Sequence, residues 1–168
     1  MARSGECQIA NRALAEQAGS NTGRSGVEYF VGTHERQLDP KGRLALPAAY
    51  RPRFEPSCYC LMGSQHCVAV LTADDSRKVI ADTLAAVERG ETTTAELRAL
   101  AASMIEVEVD RQGRILLDER LRRYAGLELN TKVVVAGAFT RLEIWDPATF
   151  DAETATGQER IATAGVTV

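Results

Sequence analysis

The chain has 168 residues, 45% of them hydrophobic and 26% charged, and a formal net charge of −3. That size suits one compact domain or two small ones able to bury a core, and no apolar run approaches the roughly 20 residues a membrane helix needs. The first residues lack the apolar stretch of a secretory signal. The cytoplasm is therefore the expected location, with Cys7, Cys58, Cys60 and Cys67 read as buried thiols and not as a disulfide framework.

Residues 1–29 are rich in Ala, Gly, Ser, Asn and Gln and have too little apolar surface to offset their ordering entropy, so a disordered extension is expected there. A strand over Thr33 to Asp39 follows, then a tight turn through Pro40, Lys41 and Gly42, and a return strand from Arg43 to Leu46. Asp39 opens the turn by accepting backbone N–H bonds, Pro40 supplies the φ wanted at the second position, and Gly42 takes the positive φ that closes it. A short helix over about Pro47–Arg51 should put Tyr50 and Phe54 on one side. Cys58 to Met62 and Val68 to Leu71 read as a second hairpin.

Between Asp74 and Met104 a helical pair is expected. Asp74 or Asp75 caps the first helix and Gly90 ends it, while Thr93 with Glu96 forms a capping box for the second. Their apolar stripes, including Val79, Ile80, Leu84, Leu97, Leu100 and Met104, must lie against the body of the protein or against another copy of it. A second strand, turn and return strand then run from Ile105 to Leu117 through Asp110, Arg111, Gln112, Gly113 and Arg114. A short helix around Leu121 and Tyr124, capped by Asp118, precedes a hairpin of Lys132–Ala136 and Arg141–Trp145. Asp146-Pro147 opens a terminal helix over about Ala148–Ile161.

The second half repeats the first. A shift of 71 pairs Asp39 with Asp110, Gly42 with Gly113, Arg43 with Arg114, Leu46 with Leu117 and Arg51 with Arg122. Three extra residues then enter, so that Cys60-Leu61-Met62-Gly63 matches Val134-Val135-Ala136-Gly137 at a shift of 74, which Val70-Leu71 and Ile144-Trp145 share. The resulting segments are 33–76 and 104–147 as repeats, 77–103 as the helical linker and 148–168 as a terminal helix and tail.

Charge follows the repeats. Five basic residues stand against Glu35 and Asp39 between His34 and Phe54, and five against Asp110, Asp118 and Glu119 between Asp110 and Arg123, leaving the rest of the chain at −8. Arg43 and Arg114 offer planar forks suited to phosphate or to the O6/N7 edge of guanine, on a turn whose strands could enter a major groove roughly 12 Å wide. Lys41 and Arg111 would add phosphate contacts that position without specifying. Each arginine could equally pair with the Asp four positions earlier, and the two roles are compatible. Cys58, Cys60 and His66-Cys67 have a metal-like look, but Cys60 falls on a repeat position held by Val134, so no metal or other cofactor is expected. His34 lies near Asp39 in sequence, yet no nucleophile, oxyanion site or phosphate loop accompanies it, so neither an enzyme nor a small-molecule site is read here.

From about Phe30 to Phe150 the chain resembles the MraZ family of bacterial transcription regulators, on the residues Asp39-Pro40-Lys41-Gly42-Arg43, Asp110-Arg111-Gln112-Gly113-Arg114, Gly32-Thr33, Pro47 to Arg51 and Leu142 to Asp146. The resemblance implies an α+β fold in which the swapped hairpins of two AbrB-like repeats interlock into one small β-barrel-like core. It also implies homo-oligomeric rings in the nucleoid. These bind short repeats of double-stranded DNA in the promoter of the division and cell-wall gene cluster, with Arg43 and Arg114 facing the DNA. AbrB-like cores also serve as antitoxin-type protein-binding modules, which is the alternative. Pro47 stands where the second repeat has Asp118, and the family commonly begins near Phe30, so a start near Val27 is the alternative to a leader.

Overall fold

The computed structural model describes residues 29–164. The extension expected over residues 1–29 lies outside them but for Tyr29, as do Cys7 and the end of the tail. The described residues form an α+β fold with a mostly antiparallel sheet and five α-helices. In chain order these are β1 (Thr33–Gln37), β2 (Arg43–Ala45), α1 (Arg51–Phe54), β3 (Ser57–Met62), β4 (Val68–Leu71), α2 (Ala73–Glu88), α3 (Thr94–Ser103), β5 (Ile105–Glu108), β6 (Arg114–Leu116), α4 (Glu119–Tyr124), β7 (Lys132–Gly137), β8 (Leu142–Trp145) and α5 (Pro147–Ala164).

The strands on either side of each Asp-x-x-Gly turn do not pair as a hairpin. After the turn and one bridge between Leu38 and Leu44 the arms part, and β2 pairs instead with β6, Arg43 opposite Leu116, Leu44 opposite Ile115 and Ala45 opposite Arg114. β1 pairs with β7 and β5 with β3, so each repeat lends its first strand to the other. The six-stranded sheet runs β1-β7-β8-β4-β3-β5. The expected hairpin fails because Leu44 and Ile115, both fully buried, gain more by meeting each other in the core than their strands gain from local pairing.

A local twofold relates the repeats. Leu44 faces Ile115, its own counterpart, and at the centre of the six-stranded sheet Val68 pairs with Ile144 while Val70 pairs with Leu142. The hydrogen bonds repeat too: Leu46 N donates to Gly113 O and Leu117 N to Gly42 O, both at 2.9 Å. The registers correct the alignment of β3 with β7. Tyr59 opposes Glu106 as Val134 opposes Glu35, so Tyr59 and not Cys60 matches Val134, at a shift of 75. Cys58 and Cys60 then match Val133 and Val135, all four buried.

The inner core includes Phe30, Leu38, Tyr50, Phe54, Cys58, Cys60, Leu121 and Val135. On the sheet's outer face, Val79 of α2, Leu100 of α3 and Met104 just after it cover Leu61, Ala69 and Leu71. Phe150 of α5 packs with Trp145 and Ala136 at the counterpart position. Helices α2 and α5 are themselves counterparts, since the Thr72 side chain caps the first by accepting from Asp75 N and the Asp146 side chain accepts from Thr149 N in the second. Thr72 is thus the cap, in place of Asp74 or Asp75. The short helix also starts later than expected, at Arg51. Pro47 lies in the turn before it, its carbonyl accepting from Tyr50 N, and Pro52 sits inside its first turn, where a missing N–H costs nothing. Ile80 and Leu84 stay exposed on the far side of α2.

Candidate nucleic-acid interface

Both turns are built alike. Gly42 N donates to Asp39 O (3.0 Å) and Asp39 N to Arg43 O (3.0 Å); in the second copy Gly113 N donates to Asp110 O (2.8 Å) and Asp110 N to Arg114 O (2.9 Å). Gly42 and Gly113 carry φ of +79° and +73°, where an L residue is strained. One oxygen of Asp39 accepts from Lys41 N and Arg43 N, both at 2.8 Å, and the other accepts from Arg43 Nε at 2.8 Å. Asp110 does the same with Gln112 N, Arg114 N and Arg114 Nε at 2.8, 3.0 and 2.8 Å. The carboxylate is thus both staple of the turn and clamp of the arginine.

These bonds favour the charged carboxylates. Backbone hydrogen bonding from Arg43 holds Asp39 below the ordinary value, and backbone and side-chain bonds from Arg114 do the same for Asp110. The folded chain therefore holds fewer protons at these sites than the unfolded one, so their stabilisation is complete above the ordinary carboxylate pKa of about 3.9 and is lost as pH falls through the lowered folded values. In urea titrations across the acid range, Asp39→Asn and Asp110→Asn should flatten this loss.

Because Leu44 and Ile115 point into the core, strand alternation sends their neighbours Arg43, Ala45, Arg114 and Leu116 to the opposite, outward face of the β2–β6 ribbon. Arg43 and Arg114 are diagonal neighbours there, about 7–8 Å apart at Cα in ordinary ladder geometry. Their side chains are 36% and 28% exposed. With Nε turned to the aspartate, Nη1 of each has no intrachain hydrogen-bond partner among the described residues. Lys41 and Arg111 stand exposed at the two turns.

Two arginines that sequence reading aligned without assigning a role connect the turns. Arg51 Nε donates to Leu46 O (3.0 Å) and Arg122 Nε to Leu117 O (3.3 Å), and each side chain lies against the turn glycine of the other repeat, Arg51 on Gly113 and Arg122 on Gly42. Their recurrence at the same shift as the turns was the available signal. Beside the ribbon runs an open groove of about 670 Å³ that mixes Lys41, Arg43, Arg114 and Arg122 with Glu106, Glu108, Asp118 and Glu119. Glu106 and Glu108 lie on edge strand β5, where charge discourages further strand pairing.

The other sequence candidates are not drawn into this face. His34 packs near Tyr50, with ring centroids 6.0 Å apart. Cys58, Cys60 and Cys67 are free and buried. A hydrogen bond with Cys58 and burial push the Cys60 thiol well up, and burial pushes Cys67 up to about 12, so neither presents a thiolate. Among the described residues no helix is long and apolar enough to cross a membrane.

Comparison with known proteins agrees with the two-copy geometry. The family model described as "MraZ protein, putative antitoxin-like" matches twice, over residues 29–95 and 100–164. The chain belongs to the MraZ family. Relatives named transcriptional regulator MraZ include those of Saccharopolyspora erythraea, 39% identical over 70% of this chain and 80% of theirs, and Thermobifida fusca, 38% identical over 72% and 83%. That of Cutibacterium acnes is 31% identical over 79% of this chain and 92% of its own. Each MraZ match includes one long helix that follows the second strand pair of its repeat, α2 in the first and α5 in the second.

Proposed function

We propose that this protein is a transcription regulator that binds double-stranded DNA through Arg43 and Arg114, with Lys41 and Arg111 as phosphate contacts. The observation that carries the reading is the β2–β6 ribbon, whose outward face presents two aspartate-clamped guanidiniums related by a local twofold. A two-stranded ribbon fits a major groove, and a clamped fork loses little freedom on binding. The names of the relatives support the regulatory role, and the family resemblance supports a promoter of division and cell-wall genes as the target.

The strand exchange of β1 and β5 supports the swapped-hairpin, AbrB-like reading of the core. One subunit offers few contacts, so affinity comes from several subunits held in one homo-oligomer acting on adjacent DNA repeats. Exposed Ile80 and Leu84 on α2 are consistent with such an assembly. The protein would then reside with the nucleoid in the cytoplasm. The antitoxin-like wording of the family description favours a second reading, a protein-binding module, which does not call for the cationic ribbon.

Mobility shift on DNA immediately upstream of the protein's own gene tests the proposal. Affinity should fall linearly in log–log form with salt, by about 0.9 in slope for each phosphate neutralised. A flat salt response, or no shift with a footprint-length duplex, contradicts it. Light scattering should find a large homo-oligomer, and a monodisperse monomer would remove the avidity argument.

A further inference from the structure

The two turns share their aspartate, glycine and arginine and repeat the same hydrogen bonds, but the ribbon face between them does not repeat. On the first strand the residue two beyond Arg43 is Ala45, half-buried; on the second the residue two beyond Arg114 is Leu116, which is 56% exposed. Isolated exposed leucines are ordinary on protein surfaces. This one is placed otherwise. Its neighbours along β6 and its extension, Ile115 and Leu117, are buried, while Leu116 stands directly across from Arg43 and on the same face as Arg114. Its Cδ1 lies over the first turn, 3.7 Å from where a side chain on Gly42 would begin.

An apolar group flanked by two guanidinium forks has a chemical complement in the major groove. Guanine offers O6 and N7 to an arginine, and thymine offers a 5-methyl group that only an apolar contact reads. We infer that Leu116 is a base-reading residue that covers the 5-methyl of a thymine adjacent to the bases engaged by Arg43 and Arg114. This rests on the DNA-binding reading proposed above. The inference adds direction: Arg43 and Arg114 obey the local twofold, while Lys41 and Arg111 break it at the turns because their counterparts are Gln112 and Pro40. Leu116 breaks it on the ribbon face itself, so a subunit distinguishes the two ways of lying on its site. With alanine at both positions the ribbon face, Arg43 and Arg114 included, would be the same in either direction.

The test removes one methyl at a time. In a duplex carrying the footprinted upstream sequence, each thymine is replaced in turn by deoxyuridine, which alters no hydrogen-bonding group. Wild-type protein should bind roughly fourfold more weakly at one thymine position per bound subunit, the effect of one buried carbon. Leu116→Ala should bind the unmodified duplex more weakly and lose the distinction between thymine and uracil at that position, with circular dichroism and oligomer size unchanged. If uracil has no effect anywhere while Arg43→Ala and Arg114→Ala still weaken the shift at least tenfold, the role of Leu116 is overturned and the DNA reading stands. If wild type binds no DNA, the DNA reading itself fails. If Leu116→Ala changes oligomer size but keeps the thymine preference, the residue is a contact between subunits and the inference is wrong.

Discussion

Arg43→Ala and Arg114→Ala should each weaken promoter binding by at least tenfold, and the double variant should show no specific shift, while all three keep the wild-type fold. A bidentate contact with a base edge contributes about 1–3 kcal/mol, and each 1.4 kcal/mol is a factor of ten. An assembly placing several subunits on neighbouring repeats compounds that loss with every subunit engaged. Stability is a separate matter. The solvent-screened Arg–Asp pairs contribute little to it, and the backbone bonds to Asp39 and Asp110 survive truncation of the arginine, because residue 43 or 114 still donates its own N–H.

Arg43→Lys separates charge from shape. An ammonium keeps the phosphate attraction and loses the planar fork, so non-specific binding at low salt should persist while preference for the footprinted sequence falls. Measured by competition with unrelated DNA, retention of full preference in Arg43→Lys would contradict base reading by that fork. Normal binding by the two alanine variants would make both arginines structural.

How much of this could be read from the chain alone depended on how local the cause was. The Asp-x-x-Gly-Arg turns were legible because every group that makes them lies within five residues, and the structure shows the carboxylate bonds and positive φ they call for. The Thr93–Glu96 capping box and the Asp118 and Asp146 caps are local in the same sense. Strand partners were not legible. Nothing in Arg43 to Leu46 says that its strand will pair with Arg114 to Leu116 and not with its own turn's other arm; that is decided by where Leu44 and Ile115 can be buried together.

The one-residue error in aligning β3 with β7 has an instructive origin. Gly63 and Gly137 looked like one repeated glycine, but they serve different ends: a side chain on Gly63 would meet the Cys67 sulfur, and one on Gly137 would meet the backbone of Phe30 and Val31. Matching residue identity concealed different environments. Arg51 and Arg122 show the converse case, a recurrence that was noticed and whose purpose appears only when the two repeats are brought face to face.

That cross-repeat contact leads to the other large expected effect. Gly113→Ala should destabilise the protein by about 2.5–5 kcal/mol, whereas Gly42→Ala should cost only about 1–2 kcal/mol. Both substitutions force an L residue into the left-handed region, which accounts for roughly 1–2 kcal/mol. At Gly42 little else happens, since a new Cβ would sit 3.4 Å from Arg122 Nε and 3.5 Å from Leu117 O. At Gly113 the new carbon overlaps the Cδ and Nε of Arg51, which must swing away and give up its 3.0 Å bond to Leu46 O. A lost hydrogen bond from a charged group costs about 1.5–3 kcal/mol. In an Arg51→Ala background that second cost has already been incurred, so Gly113→Ala should there cost no more than Gly42→Ala does in the wild type. Urea titrations of the four members of this cycle measure the coupling directly. Equal costs of Gly113→Ala with and without Arg51 would mean that the turn of one repeat is not held by the short helix of the other, and that Arg114 owes its position to Asp110 alone.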